Sequence, residues 1–324
     1  NSIDHHFFPD FGISTNPLAM WAAAAQRTKR IRFRTLLHNL AIHNALVLAG
    51  QITAADILTG GRLELGYGRG HGWVFPKASV DLSDTRARFD EGIEILDLAF
   101  RGERFSYHGK CYDVDDVRVV PRPLQTKYRV FAGLTSEGSA RLAGRKGWGA
   151  TVAPVFPPEA VKASVEAYLD ASSAVGATPD IMFLRAVYLA EDEATARREG
   201  ARDLMRFISC VAAPRAELPP KKELVEKGFP GYASDFLEKL TTKSFAELID
   251  EVVVWCGTPR QIAQNIESLQ QEWDGRVDAL AILANYGGIS HERAILNQEL
   301  FAREVIPLAL ASASRARRTH SVGG

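Results

Sequence analysis

A chain of 324 residues, 46% hydrophobic and 24% charged, is long enough for two average domains or one large α/β barrel. Its 39 basic residues balance 39 acidic ones at a pI of about 7.3, which argues against nucleic acid or an anionic membrane surface as the main partner. Cys111, Cys210 and Cys256 lie far apart with no CxxC, as suits a reducing cytoplasm and no metal cluster, and no apolar run is long enough to span a bilayer.

In chain order, Thr15-Asn16-Pro17 is a capped helix start, and the helix it opens runs to Ala25. Arg30 to Leu37 alternates and then turns apolar, as a strand would. Ala45 to Leu58 reads as a second helix, stopped by Gly60-Gly61. A buried strand over Leu63–Gly66 then enters Gly66-Tyr67-Gly68-Arg69-Gly70-His71-Gly72. Glycines in such a turn admit positive φ and close ligand approach, and Arg69 beside them is a natural anion clamp, although an exposed loop arginine is the plainer reading. His71 also reads as an exposed loop histidine, and Trp73 beyond it as a candidate for facing substrate.

Asp84 is placed to cap an amphipathic helix carrying Phe89, Ile93, Leu96 and Phe100, which Gly102 ends. A hairpin is expected over Phe105–Tyr112, turning at Gly109. Strands follow at Tyr128–Leu134, Gly149–Pro154 and Ile181–Ala190, with helices over Gly138–Lys146, Glu159–Ala174 and Glu193–Cys210. A Pro- and Lys-rich stretch from Pro214 to Thr242 breaks the rhythm. Thr258-Pro259-Arg260-Gln261 is a capping box opening a helix to Glu272, the last strand is Val277–Leu283, and a final helix reaches Leu310.

Repeated strand–helix alternation means parallel strands with helical crossovers, in an open sheet or a (β/α)8 barrel. Polar or glycine-rich residues after almost every strand favour the barrel, and no GxGxxG opens a first βαβ unit. Six strands are recognised after the first residues, so an eight-stranded barrel would lack its first strand and helix and most of its second strand. The expectation is one N-terminally truncated barrel domain over residues 1–311, with an insertion at about 214–245 and a disordered basic tail over 312–324.

The motifs together resemble the bacterial luciferase-like, flavin-dependent monooxygenases. Asp4-His5-His6-Phe7 is similar to that family's Glu-His-His-Phe, with Asp in place of Glu. Asn16-Pro17-Leu18, Arg27-Thr28-Lys29-Arg30-Ile31, His43-Asn44-Ala45, Asp56 to Leu63 and Gly66 to Gly70 follow in the family's order. Arg86, Ala132-Gly133-Leu134-Thr135-Ser136 with Ser139, Gly257-Thr258-Pro259 and Phe301 to Pro307 complete the match. The resemblance implies a (β/α)8 barrel with an insertion before its last strand. It also implies a cytoplasmic enzyme that uses reduced FMN and O2, through a flavin C4a-peroxide, to oxygenate a small organic substrate. Reduced FMN would come from a separate NAD(P)H:flavin reductase, and a homodimer would pack through Pro17–Arg27 and Ala45–Leu58.

On the same resemblance, Arg69, Arg86, Thr135, Ser136 and Ser139 would hold the flavin phosphate, where a helix N-terminus adds its dipole. Leu36 and Leu37 would form an apolar floor under the ring with a non-proline cis peptide, and His38 or Asn39 would meet its polar edge. His5 is the proton-handling candidate, because an imidazole pKa near about 6.5 suits acid–base work. Its plainer role is a strand-end histidine bonded to Asp4. Three rivals stand beside this reading: an F420-dependent hydride-transfer enzyme on the same barrel, a metal-dependent hydrolase using His5 and His6, and a non-catalytic flavin-binding barrel. Asp278 alone precedes the apolar run of the last strand, which leaves the hydrolase short of ligands.

Overall fold

In the computed structural model of this protein the described residues are Asp4, Phe7, Ser14, 16–283, 285–286 and 288–311. Helix α1 (Pro17–Ala25) starts where Asn16 Oδ1 accepts the Ala19 N–H at 3.2 Å, as the cap residue implies. The strand expected over Arg30–Leu37 is instead two short pieces, β1 (Phe33–Arg34) and β2 (His38–Asn39). Both pair in parallel with β3 (Leu63–Gly68): Phe33 and Arg34 with Leu63 and Glu64, His38 and Asn39 with Tyr67 and Gly68. They are one strand position, left by the chain between Thr35 and His38, where the Leu36–Leu37 peptide is cis. Helix α2 (Ala45–Thr59) makes the crossover, capped by Asn44 and ended by Gly60 at φ +66°.

A one-turn helix α3 (Val74–Lys77) follows the glycine loop and leads to α4 (Thr85–Phe100). Asp84 does not cap α4. Asp81 caps the turn before it through the Ser83 N–H at 2.7 Å, and the Asp84 carboxylate takes Lys110 Nζ at 2.7 Å. The hairpin is present as antiparallel β4 (Phe105–His108) and β5 (Asp113–Val117). Then come β6 (Val130–Gly133), α5 (Glu137–Arg145), β7 (Gly149–Val152), α6 (Pro158–Ala174), β8 (Ile181–Leu189) and α7 (Glu193–Ala212). The irregular stretch holds short helices α8 (Lys221–Glu226), α9 (Phe236–Thr242) and α10 (Phe245–Asp250). A strand that periodicity did not reveal, β9 (Val254–Gly257), pairs with the end of β8. Helix α11 (Pro259–Glu272) has its capping box, β10 (Ala279–Leu283) follows, and α12 (His291–Leu300) continues through a π turn at Phe301–Val305.

The parallel sheet runs β1-β3-β6-β7-β8-β10 and curls, with helices outside it. One apolar cluster joins β6–β8 to α5, α6 and α11, and another joins β1 and β3 to α1, α2 and α4. Among the described residues no ladder joins β10 to β1. Side chains bridge the interior instead: Leu36 packs on Met182 and Ala281, and Arg34 Nη1 points at Met182 Sδ, 2.9 Å away.

The amino ends of the strands are locked by charge. Glu64 is 3% exposed and accepts from Arg32 Nε at 2.6 Å and from Arg34 Nε and Nη2 at 2.8 and 2.5 Å. Arg129 reaches the same carboxylate at 3.5 Å and Asp180 at 2.5 Å, while the Arg34 guanidinium lies 3.6 Å from the centre of the Phe131 ring. A carboxylate buried under two strands needs such donors, since unpaired burial of a charge is prohibitive. That end of the sheet serves stability, and the opposite end is free for chemistry.

Candidate active site

The pairing of β2, β3 and β6 sets Leu37, Asn39, Arg69 and the Thr135–Ser136 turn at one end of the sheet. Leu37 lies across three glycines. A Cβ on Gly68 would come within 3.1 Å of Leu37 Cδ1, one on Gly133 within 3.2 Å, and one on Gly66 within 2.6 Å of Leu37 Cδ2 and into the Thr35 carbonyl. Glycine is therefore required in the strand for close approach, here of a side chain, while the positive φ expected of the run belongs to the loop beyond it. Only Gly70 in this run has a positive φ, +118°. Leu36, Leu37, Met182, Leu184, Ala279 and Ala281 make an apolar interior floor.

Residues in register on parallel strands share a face. Asn39 pairs with Gly68, on the floor side, whereas His38 pairs with Tyr67, which packs among the helices. Of the two polar-edge candidates, Asn39 is thus the inward one. Behind the strand, one oxygen of the buried Asp4 meets His43 Nε2 at 2.5 Å, His38 Nδ1 at 3.4 Å and the Asn39 N–H at 3.2 Å. These three side chains carry a donor set that suits a divalent cation, but the distances are those of hydrogen bonds to a carboxylate. His5 lies outside the described residues.

Arg69 leaves the end of β3 half-buried. Its guanidinium sits 3.5 Å from the centre of the Phe229 ring and donates to the Gly228 carbonyl. Burial, with repulsion from Arg86, pulls its pKa down to about 10, so it remains a cation at neutral pH. Arg86 itself is exposed and paired with Asp90 at 2.7 Å, one turn along α4. Ser136 and Ser139 form a capping box at the start of α5, with the Ser139 N–H donating to Ser136 Oγ at 3.3 Å; Thr135 beside them is exposed. The ordinary helix-cap reading of these serines is what the geometry contains, and α5 follows β6, the strand that pairs with β3 ahead of Arg69.

Sequence reasoning missed the cover. The stretch from Leu218 to Tyr232 folds over the glycine loop, with Leu224, Phe229 and Tyr232 packing on Phe75 and Ala41. His71 is not an exposed loop residue: its Nδ1 meets the Tyr232 hydroxyl, and its ring stacks on buried Trp73 at 4.4 Å and 8°. A Cβ on Gly231 would lie 3.7 Å from the Thr135 carbonyl, so the cover also reaches the β6–α5 turn. The signal available was Gly228-Phe229-Pro230-Gly231-Tyr232, an aromatic and glycine run inside a lysine-rich insertion.

Residues 2–273 match the luciferase-like monooxygenase family. An uncharacterized protein of Sinorhizobium fredii is 33% identical over 167 residues, 51% of this chain, and the chain spans only 48% of that relative. Limonene 1,2-monooxygenase of Rhodococcus erythropolis is 24% identical over 305 residues, covering 91% of this chain and 73% of the relative. Among solved structures, monooxygenase RslO1 from Streptomyces bottropensis superposes with a TM-score of 0.76 at 27% identity, covering 94% of this chain and 86% of that one. The oxygenating constituent of 3,6-diketocamphane monooxygenase from Pseudomonas putida, in complex with FMN, gives 0.75 at 21%, with coverage of 95% and 88%. A coenzyme F420-dependent tetrahydromethanopterin reductase from Methanopyrus kandleri gives 0.67 at 20%, with coverage of 94% and 89%. The last two likenesses are of fold.

Proposed function

This chain belongs to the luciferase-like monooxygenase family, and from that premise we propose that it is a flavin-dependent monooxygenase taking reduced FMN, O2 and a small organic substrate. The observation that carries the cofactor reading is Arg69. It is a half-buried cation that donates to the Gly228 carbonyl and lies over the Phe229 ring, at the end of a strand paired with β6, which leads into α5. A phosphate would replace that carbonyl as the acceptor, with Arg86 adding charge and Ser136, Ser139 and Thr135 offering hydroxyls. Leu36 and Leu37, set against Gly66, Gly68 and Gly133, would support a flat ring, and Asn39 would meet its polar rim.

Bound reduced flavin would supply two electrons to O2, so that one oxygen atom enters the substrate and the other leaves as water. The chain's own task is to orient the ring, exclude water and handle a proton. The insertion over the glycine loop serves exclusion, and His5 is the proton-handling residue. A separate NAD(P)H:flavin reductase is the electron source in this reading. A homodimer through α1 and α2 accords with the outward apolar side chains Met20, Val47 and Leu58, which are 47%, 58% and 54% exposed. No helix of the described residues is long and apolar enough to cross a membrane.

The likeness to an F420-dependent enzyme supports a second reading, hydride transfer from reduced F420 with no oxygen chemistry. Anaerobic titration with reduced FMN and with reduced F420, followed by a pulse of O2, separates the two. Tight binding of reduced FMN and an oxygen-dependent flavin transient that His5→Ala shortens is the expected result. Binding of F420 alone would transfer the protein to hydride chemistry. Binding of neither by the folded chain would refute both.

A further inference from the structure

We propose that Asp4 is a positioning residue that sets the flavin floor from behind and fixes the proton positions of His38 and His43. The argument begins with chain distance. Asp4 lies 34, 35 and 39 positions before His38, Asn39 and His43, yet a single carboxylate oxygen meets all three. Asp4 is 1% exposed and His38 is 1% exposed, so these contacts are made away from water, where a carboxylate is held in place by its donors. The three anchors bracket the segment that matters: His38 and Asn39 form β2, directly after the Leu36–Leu37 floor, and His43 precedes Asn44, the cap of α2. Asp4 therefore pins the carboxyl-terminal half of an interrupted strand that has only two ladder residues of its own.

The proton assignment follows from valence. An ionised carboxylate only accepts, so His38 must carry a proton on Nδ1 and His43 one on Nε2. Asp4 is the first residue of the Asp4-His5-His6-Phe7 motif. The motif's first position is thereby assigned to the His38–His43 side of the strand.

Imidazole-resolved 15N–1H NMR of the wild-type protein tests the assignment without any cofactor. Protonation of His38 on Nδ1 and of His43 on Nε2 is expected; His38 protonated on Nε2 alone would overturn the proposal. The consequence for the floor rests on the flavin reading above, and equilibrium fluorescence titration with FMN tests it. Asp4→Ala should weaken FMN binding about tenfold, the size of one lost charge-assisted hydrogen bond, and Asp4→Glu should restore most of it. Unchanged affinity in Asp4→Ala, with wild type binding FMN, would overturn the positioning role. If wild type binds no FMN, the cofactor reading fails while the tautomers still decide this inference. If Asp4→Ala does not fold, His43→Gln, which removes one anchor and leaves the carboxylate, carries the affinity test. Stoichiometric uptake of Zn2+ or Fe2+ by wild type, abolished in Asp4→Ala, would make the trio a metal centre and overturn the hydrogen-bonded assignment.

Discussion

Replacing Glu64 by Gln removes the charge on which the amino end of the sheet converges. Arg34 is 12% exposed and donates twice to that carboxylate, whereas Arg32 and Arg129 are each 50% exposed. The two exposed arginines can return to water, and their share is the small one of surface pairs, about 0–1 kcal/mol. The Arg34 guanidinium cannot, and stranding one member of a buried pair costs about 3–5 kcal/mol. A loss near ~3 kcal/mol follows, because the Phe131 face and Met182 still shelter Arg34. With a urea slope of ~3 kcal/mol/M, that moves the unfolding midpoint down by about 1 M. The effect has a pH signature. Burial pushes the Glu64 pKa up, but hydrogen bonds from Arg32 and Arg34 outweigh it, so the folded value lies below the ordinary 4.5. A depressed carboxylate stabilises the folded state above its unfolded pKa and loses that contribution as pH falls through the folded one. The deficit of Glu64→Gln should therefore be full at pH 7 and shrink below pH 4.5. Urea titrations followed by circular dichroism and tryptophan fluorescence at both pH values decide it. A deficit under about 0.5 kcal/mol at pH 7, the range of ordinary surface changes, would refute the reasoning.

Arg69→Ala should weaken FMN binding by about 10–100-fold in equilibrium titration, while Arg86→Ala, already paired with Asp90, should cost severalfold at most; equal losses would contradict the central place of Arg69. Gly66→Ala drives a methyl into the Thr35 carbonyl and should destabilise by about 1–3 kcal/mol, whereas Gly68→Ala meets Leu37 Cδ1, a side-chain end that can shift, as its nearest atom at 3.1 Å and should cost less, as denaturant midpoints will read. Tyr232→Phe removes the hydroxyl that meets His71 and should speed hydrogen exchange across residues 218–232 without changing the urea midpoint by more than about 0.5 M; unchanged exchange would mean that the aromatic packing alone holds the cover.

The element types were legible because their causes are local. Asn16, Asn44 and Thr258 bond N–H groups three residues ahead, so a cap is visible within one turn of sequence. Gly60 stops α2 because the left-handed backbone falls on a residue without a Cβ. The collinear motifs likewise placed Leu36, Leu37, Arg69 and the Ser136 turn at one end of a parallel sheet. Other features depended on residues far apart. The alternation within Arg30–Leu37 reads as one strand, and the cis peptide at Leu36–Leu37 was implied only by the family resemblance, while the Leu37 side chain lies against Gly66, Gly68 and Gly133 on two other strands. The same holds for Tyr232, which finds His71 across 161 positions, and for Asp4, whose partners lie on β2 and before α2. Sequence by itself determined what most segments are, β9 and the short helices α8 to α10 excepted, through hydrogen bonds and side-chain periodicity that close within a few residues. Only the tertiary structure decided which carbonyl faces Arg69 and which imidazoles share the Asp4 carboxylate, because a buried charge takes whatever donor packing brings within reach.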